Sequence, residues 1–174
     1  STSGLKLGLL ALLGFIAIRS YSFIQSNSQQ KIIVYNVPQK RAIDFVNGRT
    51  CFFVGDSDLL ADDFARNFHL KPSRTLYRII PADKPGNLYV TDNLLDYRNQ
   101  RIVLVDKTVF FPPAETKPVV DLLVFSKNPK VYMKKLAAAL DIRQVVFDGS
   151  VPSWKANYWK KDCDSLHILW HDVT

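Results

Sequence analysis

The side chains that could do chemistry in this sequence are few and scattered. Its three histidines are His69, His167 and His171. His69 stands alone near the end of an expected helix. His167 and His171 fall four apart in an expected strand, so they share a face but lie roughly 13 Å apart at about 3.3 Å per residue. Such a pair cannot chelate one ion as an i, i+4 pair on a helix can. There is no CxxC, zinc-finger spacing, Ser-His-Asp arrangement, P-loop or GxGxxG. Cys51 and Cys163 fall inside expected elements and read as small buried hydrophobes. A disulfide between them stays open, and Cys163 has no evident general base.

Two acidic places remain. Asp56 and Asp58 follow an expected strand and could be vestigial ligands or a proton carrier; in the preferred reading one of them caps the next helix. Asp148 with Ser150 could cradle a ligand at a strand end; a turn plus N-cap is the preferred reading. The basic groups are more numerous. Lys127, Lys130, Lys134 and Lys135 gather at and after one strand end. Lys155, Lys160 and Lys161 gather on a later helix among Trp154, Tyr158 and Trp159. Lysines near a helix N-terminus suit phosphate, and aromatic rings can stack the bases of a single strand. The plainer alternative is core aromatics and solvated lysines, and for the aromatics it is preferred.

These residues must be positioned by the last third of the chain. Val119–Ser126 is a nearly continuous apolar run, as in a strand buried on both faces. Asn128-Pro129 starts a helix with a stripe of Val131, Tyr132, Leu136, Ala139 and Leu140. Gln144–Asp148 is the next strand. A second helix follows, with Trp154, Tyr158, Trp159, Cys163 and Leu166 on its buried side, and His167–Val173 closes the unit. Strand, helix, strand, helix, strand implies a parallel sheet with right-handed crossovers. Ligands in such sheets sit at the carboxyl ends of the strands, here Ser126-Lys127-Asn128 and Asp148-Gly149-Ser150.

The chain opens on Ser1 and its one methionine is Met133, so it is expected to be a piece of a longer or processed protein. Its 174 residues, 47% hydrophobic, suit one domain with a real core plus a membrane segment. The net charge of +7 favours anionic partners, nucleic acid or anionic lipid. Leu7 to Ile18 is unbroken apolar sequence. With Arg19 snorkelling, the stretch reaches Ile24, roughly 27 Å as a helix. A signal-peptide core or a soluble core helix would be alternatives; a transmembrane helix over about 7–24, the last of a membrane region at 1–25, is preferred. A polar linker at 26–30 leads to the soluble domain, 31–174.

That domain opens with a meander: strands Lys31–Val37, Arg41–Val46 and Arg49–Gly55, with Asn47-Gly48 as a hairpin turn. A helix over Leu59–Phe68 carries Leu60, Phe64 and Phe68 on one face. Thr75–Ile80, Leu88–Val90, Arg101–Asp106 and a short continuation near Val109-Phe110-Phe111 read as strands. Chain breaks fall at Pro81, Pro85 and Gly86, and a loop is bracketed by Pro112, Pro113 and Pro118.

The order of elements resembles the metallo-β-lactamase fold, two sheets between helices. The closer resemblance is to the C-terminal domain of ComEC-family competence proteins, in the shortened form of Bacteroidetes-type members. It is carried by Ile32–Val37, Ala42–Phe45 with Asn47-Gly48, Phe53–Ser57, Val119–Asn128, Val145–Ser150 and Trp154–Cys163. The fold class expected is therefore α/β (an α+β sandwich): a degenerate metallo-β-lactamase-like domain, meander then βαβαβ, behind one hydrophobic helix. The resemblance implies an inner-membrane channel of DNA uptake with a multi-pass parent protein. It further implies a periplasmic soluble domain, and single-stranded DNA, the membrane, the rest of the channel and other competence machinery as partners.

Metal-dependent members of that fold carry a His-x-His-x-Asp-His motif, which is missing here. Where canonical ComEC domains end a strand on His-His-Gly-Ser, this chain reads Ser126-Lys127-Asn128-Pro129. A lysine in place of a ligand histidine argues against a cation, so no cofactor, no metal and no catalysis are expected. The candidate nucleic-acid contacts are Lys127, Lys130, Lys134, Lys155, Lys160 and Lys161. A residual pocket would be formed by Asp56, Ser126, Asn128, Asp148 and Ser150. A membrane-anchored hydrolase or nuclease with an atypical site at Asp56 or Asp148 is the alternative, and a purely structural interaction module is a third reading.

Overall fold

The computed structural model describes residues 2–83, 87–112 and 115–174. The expected breaks at Pro85, Gly86 and Pro113 lie outside the described residues. The chain begins with a long apolar helix, α1 (Thr2–Ser28). It is long and apolar enough to cross a membrane, by length and composition. Its Leu10, Leu13, Phe15 and Ile18 are all exposed, so the apolar stretch up to there is not covered by protein among the described residues. The helix runs through Ser26–Ser28, where a polar linker is expected, and only Gln29 separates it from the first strand.

Two sheets follow. The first has the order β1-β2-β3-β4, from β1 (Gln30–Val34), β2 (Ala42–Asn47), β3 (Thr50–Gly55) and β4 (Ile80–Pro81). The β2–β3 hairpin forms as expected, one residue on. Asn47 pairs with Thr50, and Gly48 and Arg49 make the turn. Gly48 has φ +59°, the left-handed value that a primed hairpin turn demands at its first central residue. The second sheet has six strands in the order β12-β11-β9-β7-β6-β5. They are β5 (Leu88–Thr91), β6 (Leu94–Tyr97), β7 (Gln100–Val105), β9 (Leu122–Phe125), β11 (Gln144–Phe147) and β12 (Leu169–Asp172). The first three are antiparallel, and β7, β9, β11 and β12 run parallel. A small parallel pair, β8 (Val119–Val120) with β10 (Asp141–Ile142), sits beside this sheet.

Strand alternation divides the core. Ile43 and Phe45 of β2 meet Ile102 and Leu104 of β7 and Val124 of β9 between the two sheets. The alternate residues Val103, Val105, Leu123, Phe125, Val145 and Phe147 face outward under α5 (Met133–Ala139) and α6 (Ser153–Ser165). On the other side, Tyr35, Val37 and Ala42 are covered by Leu59 and Leu70 of the 57–76 helical segment. The layers are therefore helix, sheet, sheet, helix, with a period of two along every central strand.

Several expectations are corrected. The single helix at Leu59–Phe68 is instead α2 (Ser57–Ala61), a break at Asp62, α3 (Asp63–Ala65), a π-helical turn (Arg66–Leu70) and α4 (Lys71–Leu76). Asp62 has extended backbone and recaps the chain by accepting from Ala65 N. The wide turn shifts the phase, so Leu59 and Leu70 are buried, while Phe64 and Phe68 stack on each other in solvent. Thr75–Leu76 ends a helix, and only Ile80–Pro81 pairs as a strand. Lys31–Val37 is strand only to Val34. Val109–Phe111 pairs with no strand among the described residues, with Phe110 exposed and Phe111 packed on the outer core. The helix expected from Asn128-Pro129 starts at Met133, because Lys127 takes φ +61° and the Asn128 side chain bonds Lys155 rather than capping. Of the stripe assigned to the buried side of α6, Trp159 and Cys163 are buried, but Trp154 and Tyr158 are exposed. The closing strand is only Leu169–Asp172, at the sheet edge, and His167 lies in a left-handed turn before it.

Candidate functional site

The carboxyl ends of β3, β7, β9 and β11 converge at one rim of the sandwich. From the first sheet come Arg41 and Asp56; from the second come Asp106, Ser126, Lys127, Asp148 and Ser150. Asp148 is wholly buried. Ser126 Oγ donates to one of its carboxylate oxygens, and Ser150 donates to the other through N at 2.9 Å and through Oγ. Lys127 N in turn donates to Ser150 Oγ at 2.6 Å. Gly149 is needed here: a Cβ on it would come 2.6 Å from Val37 N, so the turn packs directly on the end of the first sheet.

Asp56 is the N-cap residue of α2 by backbone, but its carboxylate makes no cap bond. It accepts from Lys127 Nζ at 2.8 Å and from Arg41 N at 3.0 Å. Asp56 thus takes the expected N-cap position without a side-chain cap bond, its carboxylate turned to Lys127 and Arg41, and Asp58 pairs with Lys40 across 3.0 Å. Arg41 Nη1 donates to Asp106 Oδ2 at 2.8 Å. Arg41 Nε and Asp106 Oδ1 are buried with no partner among the described residues.

Two opposite titration behaviours follow. Burial works to raise the Asp56 pKa, but hydrogen bonds from Lys127 and Arg41 N, with both positive charges, outweigh it and hold the carboxyl below its ordinary value. For Asp148 burial wins. The bonds from Ser126 and Ser150 and the charge of Arg41 offset it only in part, and its pKa is raised.

The donor set does not suit a dinuclear metal centre. No group of three or more His, Cys, Asp or Glu able to hold an ion occurs among the described residues. The two most available carboxylates, Asp56 and Asp106, are already neutralised by an ammonium and a guanidinium. His69 packs edge-on against Phe68, and His171 lies on the edge strand β12.

Of the pocket expected from sequence, the structure brings together Asp56, Ser126, Asp148 and Ser150. Asn128 is left out: it is exposed and accepts from Lys155 Nζ at 2.6 Å. Arg41 and Asp106 were missed. Their signal, one charge of each sign beside a strand end, is too common to stand out in a sequence.

The six candidate lysines divide in two. Lys127 pairs with Asp56, Lys160 pairs with Asp172, and Lys155 is held by Asn128 and the Pro129 carbonyl. Lys130, Lys134 and Lys161 are exposed and have no carboxylate partner among the described residues. Lys130 sits beside a groove of about 320 Å³ whose walls are Tyr132, Trp154, Tyr158 and the edge of Trp159. Tyr132, Trp154 and Tyr158 are 61%, 68% and 56% exposed. Lys155 Nζ lies 4.9 Å from the Trp159 ring centroid and 6.0 Å from that of Trp154, and burial followed by the charge of Lys130 lowers its pKa.

No curated protein and no solved structure matches this chain. The family model of the ComEC C-terminal domain matches residues 32–174, from the second residue of the expected soluble domain to the last of the chain. Because that match covers most of the sequence, the chain belongs to the ComEC C-terminal domain family.

Proposed function

We propose that this chain is the C-terminal part of an inner-membrane DNA-uptake channel, and that its soluble domain guides single-stranded DNA without cleaving it. The observation that carries the reading is the exposed groove of Tyr132, Trp154 and Tyr158 beside Lys130, on a domain of the ComEC family. Aromatic faces left in water, with lysines at the rim, are the combination that holds unpaired bases and their phosphates. Lys134 on α5 and Lys161 on α6 extend the positive surface.

The layered helix–sheet–sheet–helix arrangement supports a degenerate metallo-β-lactamase-like domain. In this reading the Lys127–Asp56 and Arg41–Asp106 pairs close the rim where a catalytic site would open. Hydrolysis at Asp148 is disfavoured because that carboxyl is buried and both its oxygens are occupied. Helix α1 is the last membrane span of a multi-pass parent, and residues 31–174 lie on its periplasmic side, in contact with the rest of the channel and the uptake machinery.

The test is binding of the full chain, held in lipid nanodiscs, to labelled single- and double-stranded oligonucleotides across a salt series. We expect single strands to be preferred and affinity to fall steeply with salt. Changing Lys130, Lys134 and Lys161 together to glutamine should flatten the log–log salt slope by about 2. No binding at low salt would defeat the DNA-guiding role and leave a bracing module. Metal-dependent cleavage that is lost on Asp56→Asn or Asp148→Asn would defeat the non-catalytic reading.

A further inference from the structure

A second basic surface lies on the opposite helical layer, where α1 enters the domain. Gln29, the one residue between α1 and β1, donates through Nε2 to the carbonyls of Gly48 at 2.9 Å and Tyr77 at 2.7 Å. Gly48 N returns a bond to Gln29 O at 2.8 Å. The hairpin tip and the Tyr77-Arg78 turn therefore clamp the helix exit. Arg78 goes further: its Nη1 donates to Ser22 Oγ of α1 at 3.0 Å. Ser22 lies two residues before Ile24, the end of the apolar stretch, or about 3 Å along the axis. A helix that spans a bilayer with that stretch brings the Arg78 guanidinium to the boundary between hydrocarbon and headgroups, from which a long side chain reaches lipid phosphates.

Around Arg78 runs a groove of about 450 Å³, lined by Arg49, Arg66, Lys71, Arg74 and Ile80, with no carboxylate in its wall. Arg66 is paired with Asp63, and Arg74 with Asp44. Arg49, Lys71 and Arg78 have no carboxylate partner among the described residues. Ile80, in the groove wall, is 60% exposed, and Leu76, two residues before Arg78 in the chain, is 73% exposed.

We propose that this groove is a headgroup site for anionic phospholipid, which seats the soluble domain on the membrane surface. The guanidinium forks of Arg49 and Arg78 suit phosphate oxygens, with Lys71 as a third charge, and Leu76 and Ile80 suit the upper acyl region. Three observations favour lipid over nucleic acid. No aromatic ring among the described residues lines the groove to stack a base. An exposed aliphatic side chain, Ile80, lies in its wall. The groove is tethered to the apolar helix itself. The inference rests on α1 spanning the membrane.

The experiment places a nitroxide at Leu76→Cys in the full chain. Cys51 and Cys163, at 1% and 0% exposure, escape labelling. Incorporation into nanodiscs tests the span on its own; a chain that does not incorporate defeats that reading first. In discs containing phosphatidylglycerol we expect a several-fold loss of access of a nickel chelate to the label, relative to phosphatidylcholine discs. R49E/K71E/R78E should abolish the difference, and the milder R78Q, should the triple variant not fold, should reduce it. Equal access in both lipids would overturn the site. Protection produced in phosphatidylcholine discs by inorganic phosphate would reassign it to free phosphate, and protection by a single-stranded oligonucleotide would reassign it to nucleic acid; either result overturns the proposal.

Discussion

Lys127 Nζ lies 2.8 Å from Asp56 Oδ1, an ion pair between residues 71 apart that ties the end of β9 to the end of β3. It joins the two sheets at the rim where strand ends converge. The lysine side chain is 42% exposed and the aspartate 22%, so the pair is only partly desolvated. Lys127→Ala should cost about 1 kcal/mol or less. Asp56→Ala should cost more, about 1–2 kcal/mol, because it also orphans Arg41 N. Thermal unfolding of the two variants in detergent would show the order; a larger loss for Lys127→Ala would be inconsistent with it.

The two rim aspartates should respond to acid in opposite senses. The folded-state pKa of Asp56 is depressed, so its stabilisation is present above the unfolded carboxylate value of about 4 and is lost as pH falls through the lower folded value. Asp148 is raised, so its contribution is full below about 4 and is lost as pH rises through the higher folded value. Stability measured from acid to neutral pH should therefore lose its acid-side decline in part with Asp56→Asn. Asp148→Asn should instead remove part of the decline on the neutral side. The same pH profile for both variants would contradict the assignment.

A deeper ion pair has no part in the rim. Arg74 Nε and Nη2 each donate to Asp44 at 2.8 Å, and Tyr35 Oη donates to the same carboxylate at 2.7 Å. Asp44 is fully buried on the outer face of β2, beneath α4. Removing one partner leaves the other charge buried and unpaired, so Arg74→Ala or Asp44→Ala should cost about 3–5 kcal/mol. Tyr35→Phe should cost about 1 kcal/mol. Denaturant midpoints in the same detergent would rank the three; near-neutral Arg74→Ala would show that the pair is not closed in solution.

These cases show what a sequence can carry. The central strands were legible because Val103–Val105, Leu123–Phe125 and Val145–Phe147 are apolar on both faces, as strands covered by a layer on each side are. Asp148 and Ser150 were legible because strand ends in such sheets collect polar groups. The helical segment 57–76 was not, because Leu60, Phe64 and Phe68 keep a helical period that the break at Asp62 and the wide turn at 66–70 throw out of phase with the core. Strand β6 was missed for a related reason: Leu94-Leu95-Asp96-Tyr97 is too short to alternate clearly, and the turns that frame it use Asp92, Arg98 and Asn99 at positive φ without a glycine. Arg74 belongs to the same class, since nothing local marks a surface-type residue as the partner of a buried carboxylate thirty positions away.

The two tryptophans of α6 should separate binding from stability. Trp159 is 1% exposed, and its ring stacks 4.3 Å from that of Phe125. Trp154, five positions earlier, is 68% exposed. Trp159→Ala should cost about 3–5 kcal/mol of stability. Trp154→Ala should leave stability nearly unchanged and weaken single-strand binding by about 1–3 kcal/mol, the worth of one stacked base. Unchanged oligonucleotide affinity in Trp154→Ala, and in Tyr158→Ala beside it, would remove the groove from the DNA path.

Cys51 and Cys163 test the packing of the two outer layers independently of any ligand. Both thiols are free and buried, in different clusters: Cys51 with Val46 and Ile79, Cys163 on the buried side of α6 with Trp159. Burial is the chief cause that pushes each thiol up to about 12, so the reactive thiolate is scarce at neutral pH. In the folded chain neither should react with a maleimide over the time that an exposed thiol is consumed, and both should react once denaturant unfolds it. Because the two sit under opposite layers, their order of appearance on stepwise denaturation reports which layer opens first. The layer over Cys163 holds a 13-residue helix packed on a large aromatic cluster, whereas Cys51 is covered by short, interrupted elements. Cys51 should therefore be modified at the lower denaturant concentration, and the reverse order would show that the cover of Tyr77 and Ile79 is held more firmly than its short elements imply.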